Sequence, residues 1–154
     1  MSQRVDLRSA TEAHVPRLTQ LYIELIEFKG PDELEAVWVN TSASTCAEVA
    51  KHDVESPDIN LYVAEAGSEV VGFIKYTFEE KTWGKTCEIA SLVVTEPWRS
   101  KGIGKKLMAL VEQKARDAET KVASLHVLVG NEEGEGFYEG LDYIPYATHY
   151  IKPL

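Results

Sequence analysis

Arg99-Ser100-Lys101-Gly102-Ile103-Gly104-Lys105 joins two glycines to a set of cations where a helix is about to start. The first turn of a helix leaves backbone N–H groups without intrahelical acceptors, and the helix dipole adds positive potential there. An anion such as a pyrophosphate suits that arrangement. Gly102 and Gly104 carry no Cβ to hold an anion away from the main chain. Arg99, Lys101, Lys105 and Lys106 also reverse the sign of charge locally in a chain whose net charge is −9. For the two glycines alone, a solvated glycine-rich turn is the better fit. Two other phosphate loops are excluded by the letters. Glu79 stands where a Walker motif ending in Gly84-Lys85-Thr86 requires glycine, and Leu107 occupies the third glycine of a dinucleotide fingerprint.

Four further side chains have types that could do acid, base or nucleophilic chemistry. By pattern alone Tyr138 reads as a core aromatic, while the placement of Glu88 fits a general base and a solvated charge at the start of a strand equally well. His126 should point to the face opposite Leu125 and Val127, where a histidine is more often structural. Cys87 has no neighbouring histidine or marked helix N-terminus to activate it. The histidines His14, His52, His126 and His149 show no ligand spacing, and Cys46 and Cys87 form no metal knuckle, so no metal is expected.

These residues must be carried by a mixed α/β scaffold. Val5 and Leu7 suggest a first strand. Thr11 is placed as an N-cap, with His14 where a capping box would have Glu, and Val15, Leu18, Leu21, Tyr22, Leu25 and Ile26 recur at helical spacing to about Phe28. Lys29-Gly30-Pro31 breaks that helix, and 32–54 is more weakly helical. Strands at 61–65 and 70–76 flank the turn 66–69, and a turn at 82–85 leads into a strand through 88–94. Ile103, Leu107, Leu110, Val111 and Ala115 make the next helix face. Then come an apolar strand over 122–129, a short helix over 131–141, and one or two closing strands between Tyr143 and Ile151. A strand, helix and strand between 88 and 129 imply a parallel pair with a right-handed crossover.

Composition sets the outer bounds. The 154 residues suit one domain, 1–154, and 44% hydrophobic with 27% charged residues is ordinary for a folded chain. The acidic balance disfavours nucleic acid or an anionic membrane as partner. No run approaches the roughly 18 apolar residues of a membrane span, and the opening six residues lack a signal-peptide core. A cytoplasmic location is expected.

The stretch Arg99-Ser100-Lys101-Gly102-Ile103-Gly104 resembles motif A of the GNAT superfamily of N-acetyltransferases, [RQ]-x-x-G-x-[GA], with Val94 five residues before the arginine. A second block is similar to the family in order and spacing: Leu125 to Val129, then Asn131, Gly134, Phe137-Tyr138 and Leu141-Asp142-Tyr143. Alanine is usual at Gly134 and glycine at Asp142. Gly134, Gly136 and Gly140 are each expected to weaken the short helix by about 1 kcal/mol against alanine, while Asp142 can take a left-handed cap.

The resemblance implies a GNAT fold, a central mixed sheet of six to seven strands flanked by about four helices, with acetyl-CoA as co-substrate. It implies that Leu92, Val93 and Val94 offer main-chain groups to the pantetheine arm, the Val94 N–H facing the thioester carbonyl. Arg99, Ser100, Lys101, Gly102, Ile103, Gly104 and Lys105 would hold the pyrophosphate, with Asn131, Gly134, Phe137 and Tyr138 completing the cofactor site. Tyr138 takes the place of the general acid toward the thiolate of coenzyme A, and Glu88 that of a carboxylate base. The acceptor would be a primary amine on a small cationic molecule or a peptide. Glu24, Glu27, Asp32, Glu33, Glu35, Glu79 and Glu80 are the carboxylates available to attract it. A catalytically inactive acyl-CoA binding or sensing module is the alternative, a ligand-free interaction domain a third reading, and a homodimer is common among relatives. All cofactor readings require Gly102 and Gly104 to stay out of the core and the strand edge at 92–94 to be unpaired.

Overall fold

The computed structural model describes residues 3–27 and 43–154. Its five-stranded sheet runs in the order β1 (Val5–Ser9), β2 (Asn60–Ala66), β3 (Glu69–Lys81), β4 (Gly84–Val94) and β5 (Val122–Leu125). β1 to β4 pair antiparallel, whereas β5 lies parallel to β4. Four helices complete the described fold: α1 (Val15–Ile26), α2 (Ala43–Glu55), α3 (Ile103–Asp117) and α4 (Glu132–Glu139). α3 is the crossover that a parallel neighbour requires, while β2 and β3 need only the two residues Gly67-Ser68 between them.

Thr11 and His14 start the first helical region together. The Thr11 N–H donates to His14 Nδ1 at 2.9 Å, so the imidazole does the work usually given to Glu in a capping box. Nδ1 is thereby the acceptor, which leaves Nε2 to carry the proton and donate to Glu65 Oε1 at 2.7 Å. One turn of 3-10 helix, Glu12–His14, leads into α1, which ends at Ile26 rather than near Phe28. The expected break at Lys29-Gly30-Pro31 lies outside the described residues.

Two apolar layers sandwich the sheet. Leu18, Leu21 and Tyr22 of α1, with Cys46 and Ala50 of α2, cover Leu61, Val63, Phe73 and Val93. On the other face Ile103, Leu107, Met108, Val111 and Ala115 of α3 pack on Ile74, Tyr76, Cys87 and Ile89. Within the first layer a polar cluster is sealed. Asp53 is buried, accepts from the Tyr22 hydroxyl and pairs with Lys75 Nζ at 2.8 Å. That cluster ties α1 and α2 to the middle of β3.

The sheet is shorter than expected on its β5 side. Of six to seven expected strands, five form among the described residues. β5 stops at Leu125 instead of running to Val129, because β4 has already turned away and offers no further ladder. The closing strands expected between Tyr143 and Ile151 are irregular chain, with Ile144, Tyr146 and Tyr150 exposed. Pro145 removes one donor from that run, and a four-residue β5 offers little edge to pair with.

Replacing Lys75 by Met should leave Asp53 buried with the Tyr22 hydroxyl and no cation. A loss of about 3 kcal/mol is expected from breaking such a pair, read as a lower midpoint in urea unfolding.

Candidate functional site

β4 separates from β5 halfway along. The two strands pair only between Thr86–Ile89 and Val122–Leu125. At that point β4 carries a bulge: Lys75 of β3 faces Ser91 and Tyr76 faces Ile89, so Ala90 is the extra residue. A bulge bends its strand and increases the local twist. Ser91 to Val94 stay paired to β3, but on their other side no strand follows. The bulge also resets the faces. Cys87 and Ile89 share the α3 side with Leu92 and Val94, and Val93 faces α1 and α2.

Gly72 holds the far end of β4 tightly to β3. A Cβ there would lie 2.6 Å from the Val93 carbonyl oxygen, closer than any side chain permits. The Thr95 N–H then donates to Val71 O at 2.9 Å. Since successive main-chain groups of a strand point to opposite edges, the Val94 amide is turned toward the unpaired side.

Past Thr95 a 3-10 turn, Glu96–Trp98, leads to Arg99, then to Ser100 and Gly102, both with positive φ (61° and 82°). Gly102 caps α3 and brings no side-chain hydrogen bond to it. Lys106 is the first amide of the helix to find a partner, donating to Gly102 O. The amides of Ile103, Gly104 and Lys105 are therefore left for an external acceptor. Gly102 is exposed and Gly104 half-exposed, so neither is sealed in the core. Lys101 lies over the Trp98 ring at 5.7 Å.

The two glycines have different reasons. Gly102 is needed for its backbone conformation, since nothing lies within 4 Å of the Cβ position. Gly104 is needed for packing: a Cβ there would be 3.2 Å from Cζ of Phe137. Its bare Cα therefore seats α4 against the first turn of α3.

Asn131 caps α4, its Oδ1 accepting from the Gly134 N–H at 3.0 Å. A Cβ on residue 134 would meet the Asn131 side chain at 2.5 Å, which accounts for glycine where alanine is usual. Asp142 takes φ 68°, the left-handed conformation that glycine ordinarily fills. Tyr138 packs edge-on to Phe137 and to Tyr143, and burial holds its phenol above the ordinary range. The Tyr143 hydroxyl donates to Glu112 Oε2 at 3.0 Å.

Glu88 stands across from Thr77 and Ser124 in the paired part of β4. Its side chain is 15% exposed and lies 3.5 Å from Lys81 Nζ, which also meets Glu79 at 2.9 Å. His126 falls just past the end of β5 and is exposed. Cys87 is fully buried, and burial pushes its thiol up to about 11. A thiolate nucleophile there is out of reach at neutral pH. Arg99 is engaged by the protein itself, through Val94 O at 2.8 Å and Glu24 Oε1 at 3.0 Å.

Residues 19–143 match the acetyltransferase (GNAT) family. The chain belongs to that family. A thialysine N-epsilon-acetyltransferase of Caenorhabditis elegans is 24% identical over 140 residues, which is 90% of this chain and 82% of the relative. An aminoglycoside N-acetyltransferase solved in complex with CoA superposes with a TM-score of 0.81 at 12% identity, covering 100% of this chain and 97% of the other. A ribosomal-protein-alanine N-acetyltransferase from Brucella melitensis gives 0.76 at 16% identity, over 98% and 99% of the two chains. At these identities the structural likenesses establish the fold.

Within this GNAT chain, several residues shape the site that the motifs do not contain. Gly72 was signalled by its position inside a β-branched run, since a strand-interior glycine often marks close backbone approach. Glu24 and Thr95 left no such mark, because their partners lie on other elements, and the same holds for the pairing of Lys81 with Glu88. Among the acidic residues offered as acceptor contacts, Glu24 is committed to 95–99 and Glu79 to Lys81. Glu27 and Glu80 are exposed, and Asp32, Glu33 and Glu35 lie outside the described residues.

Gly102→Ala forces a Cβ into a left-handed backbone at no gain in contact. It should destabilise the fold by about 1 kcal/mol, measured by chemical denaturation.

Proposed function

We propose that this chain transfers the acetyl group of acetyl-CoA to a primary amine by direct attack. The observation that carries the reading is the unpaired edge of β4 at 91–94 running into an uncapped α3 N-terminus. An open strand edge can pair with an amide-bearing arm, and three unmatched amides beside Lys101, Lys105 and Lys106 can hold a diphosphate. Coenzyme A has both parts in that order. Arg99, Ser100, Lys101, Gly102, Ile103, Gly104 and Lys105 form the phosphate loop, and Leu92, Val93 and Val94 the pantetheine edge. Asn131 and Gly134 fix the start of α4, and Phe137 and Tyr138 complete that side.

When bound, acetyl-CoA supplies the activated acetyl thioester. The Val94 N–H, turned toward the open edge, serves as donor to the thioester oxygen. Tyr138 holds a proton for the leaving sulfur, and its buried environment keeps the phenol protonated at neutral pH. Glu88 takes a proton from the acceptor's ammonium, directly or through water, and the neutral amine that results attacks the thioester carbonyl. Tyr138 and Glu88 belong to opposite faces of the sheet, which suits a slot passing between β4 and β5. Cys87 is left out, so no acetyl-enzyme is required.

The acceptor is read as a small cationic molecule or a peptide amine. A net charge of −9 with Glu27 and Glu80 exposed favours a cation. The names of the relatives, a thialysine, an aminoglycoside and a ribosomal-protein acetyltransferase, all point to amine acceptors. Among the described residues no helix is long and apolar enough to cross a membrane.

Coenzyme A at a hundred times its dissociation constant should stabilise the chain by about 2.7 kcal/mol, seen as a raised Tm. Acetyl-CoA with a panel of amines should release free thiol; no release with any amine would remove the enzyme reading. Tyr138→Phe should lower kcat by about a hundredfold with little change in KM, and unchanged turnover would remove the acid assignment. Because burial raises the phenol above its ordinary value of about 10, Tyr138 loses its proton only above that pH. The wild-type kcat should accordingly show no alkaline fall attributable to Tyr138 below about pH 10.

A further inference from the structure

Glu24 sits in the last turn of α1, far in sequence from the phosphate loop, yet its carboxylate is the hub of the segment that leads into it. Oε2 accepts from the Thr95 hydroxyl at 3.0 Å. Oε1 accepts from the Glu96 N–H at 3.0 Å and from Arg99 Nη2 at 3.0 Å. Arg99 Nε closes the ring by donating to Val94 O at 2.8 Å. Both ends of 95–99 are thus anchored to one side chain, and two of the contacts on it are to the main chain or a guanidinium. Hydrogen bonds to an ionised group are among the stronger ones. The side chain of Glu24 is only 22% exposed, so water competes weakly for it.

The arrangement changes the role of Arg99. Its charge is met by Glu24, and its guanidinium is turned back onto the end of β4. The cations left to face an anion are Lys101, Lys105 and Lys106. Arg99 then acts by folding the turn, and Glu24 acts by holding Arg99 and the first amide of that turn. The two left-handed residues that follow, Ser100 and Gly102, start from this fixed point.

We propose that Glu24 is a positioning residue for the diphosphate of coenzyme A, presetting the amides of 103–105 from outside the motif that contains them. The inference rests on the reading of the cradle given above. It predicts a loss specific to the phosphorylated part of the donor, because residues 91–94 keep their pairing to β3 whatever happens at Glu24, whose contacts act on the turn 95–99. An ordinary brace would instead lower stability and affect every donor alike.

The test compares acetyl-CoA with S-acetylpantetheine, which lacks the diphosphate, in wild type and in Glu24→Gln. The variant is isosteric but has one acceptor oxygen where two are used. KM for acetyl-CoA should rise about tenfold, with kcat within about twofold and kcat/KM for S-acetylpantetheine unchanged. Thr95→Val, which removes a single contact to the carboxylate, should shift the acetyl-CoA KM in the same direction by about threefold, and it serves if Glu24→Gln does not fold. An equal loss with both donors, or no loss with either, would overturn the proposal. If wild type neither binds coenzyme A nor turns over, the function itself is misread and this inference falls with it. A wild type that binds, alongside variants that bind equally well, removes the inference alone.

Discussion

Main-chain hydrogen-bonding groups cannot be left without partners inside a protein, and the divergence of β4 from β5 leaves a row of them at the surface of a cleft. Everything distinctive in the site follows from how that row is produced. The bulge at Ala90 ends the parallel pairing after four residues, and Gly72 lets β3 hold the remainder of β4 without help from β5. The strand is therefore rigid on one side and open on the other. A ligand with amides of its own could take the place of the missing strand, and the proposed pairing asks for no particular side chains along 91–94.

The adjoining helix end obeys the same logic. α3 begins on Gly102, whose left-handed backbone suits glycine and which offers no capping oxygen. Leaving those amides bare costs stability unless something else satisfies them. The proposed diphosphate would do so, and three lysines in an otherwise acidic chain favour the arrival of an anion. Cradle and cleft are consecutive in sequence because one strand-to-helix connection makes both.

Much of this was legible in the letters, and unevenly so for physical reasons. The glycines and cations of 99–105 are contiguous, so a local motif reports them. The helix faces of α1 and α3 emerge from periodicity because each buries one stripe. What could not be read was whatever depends on contacts across the chain. The end of β5 at Leu125 is decided by the bulge on β4, not by its own apolar residues, and the run 126–129 looked equally strand-like. The segment after Tyr143 has strand composition and no edge to join. Glu24 looked like one of several surface acids until its partners on 95–99 were in view. Gly104 was credited with admitting an anion, whereas its contact with Phe137 gives it a second reason.

That contact has a reach beyond packing. Phe137 rests on the bare Cα of Gly104, and Tyr138 is the next residue along α4. The phenol is thus tied to the start of α3 as well as to the core that it packs on. Any drift of one helix along the other would carry Tyr138, the proposed proton donor, away from its station while leaving the chain well folded. A single ring lying on a single backbone atom gauges the spacing between the proposed phosphate cradle and that phenol.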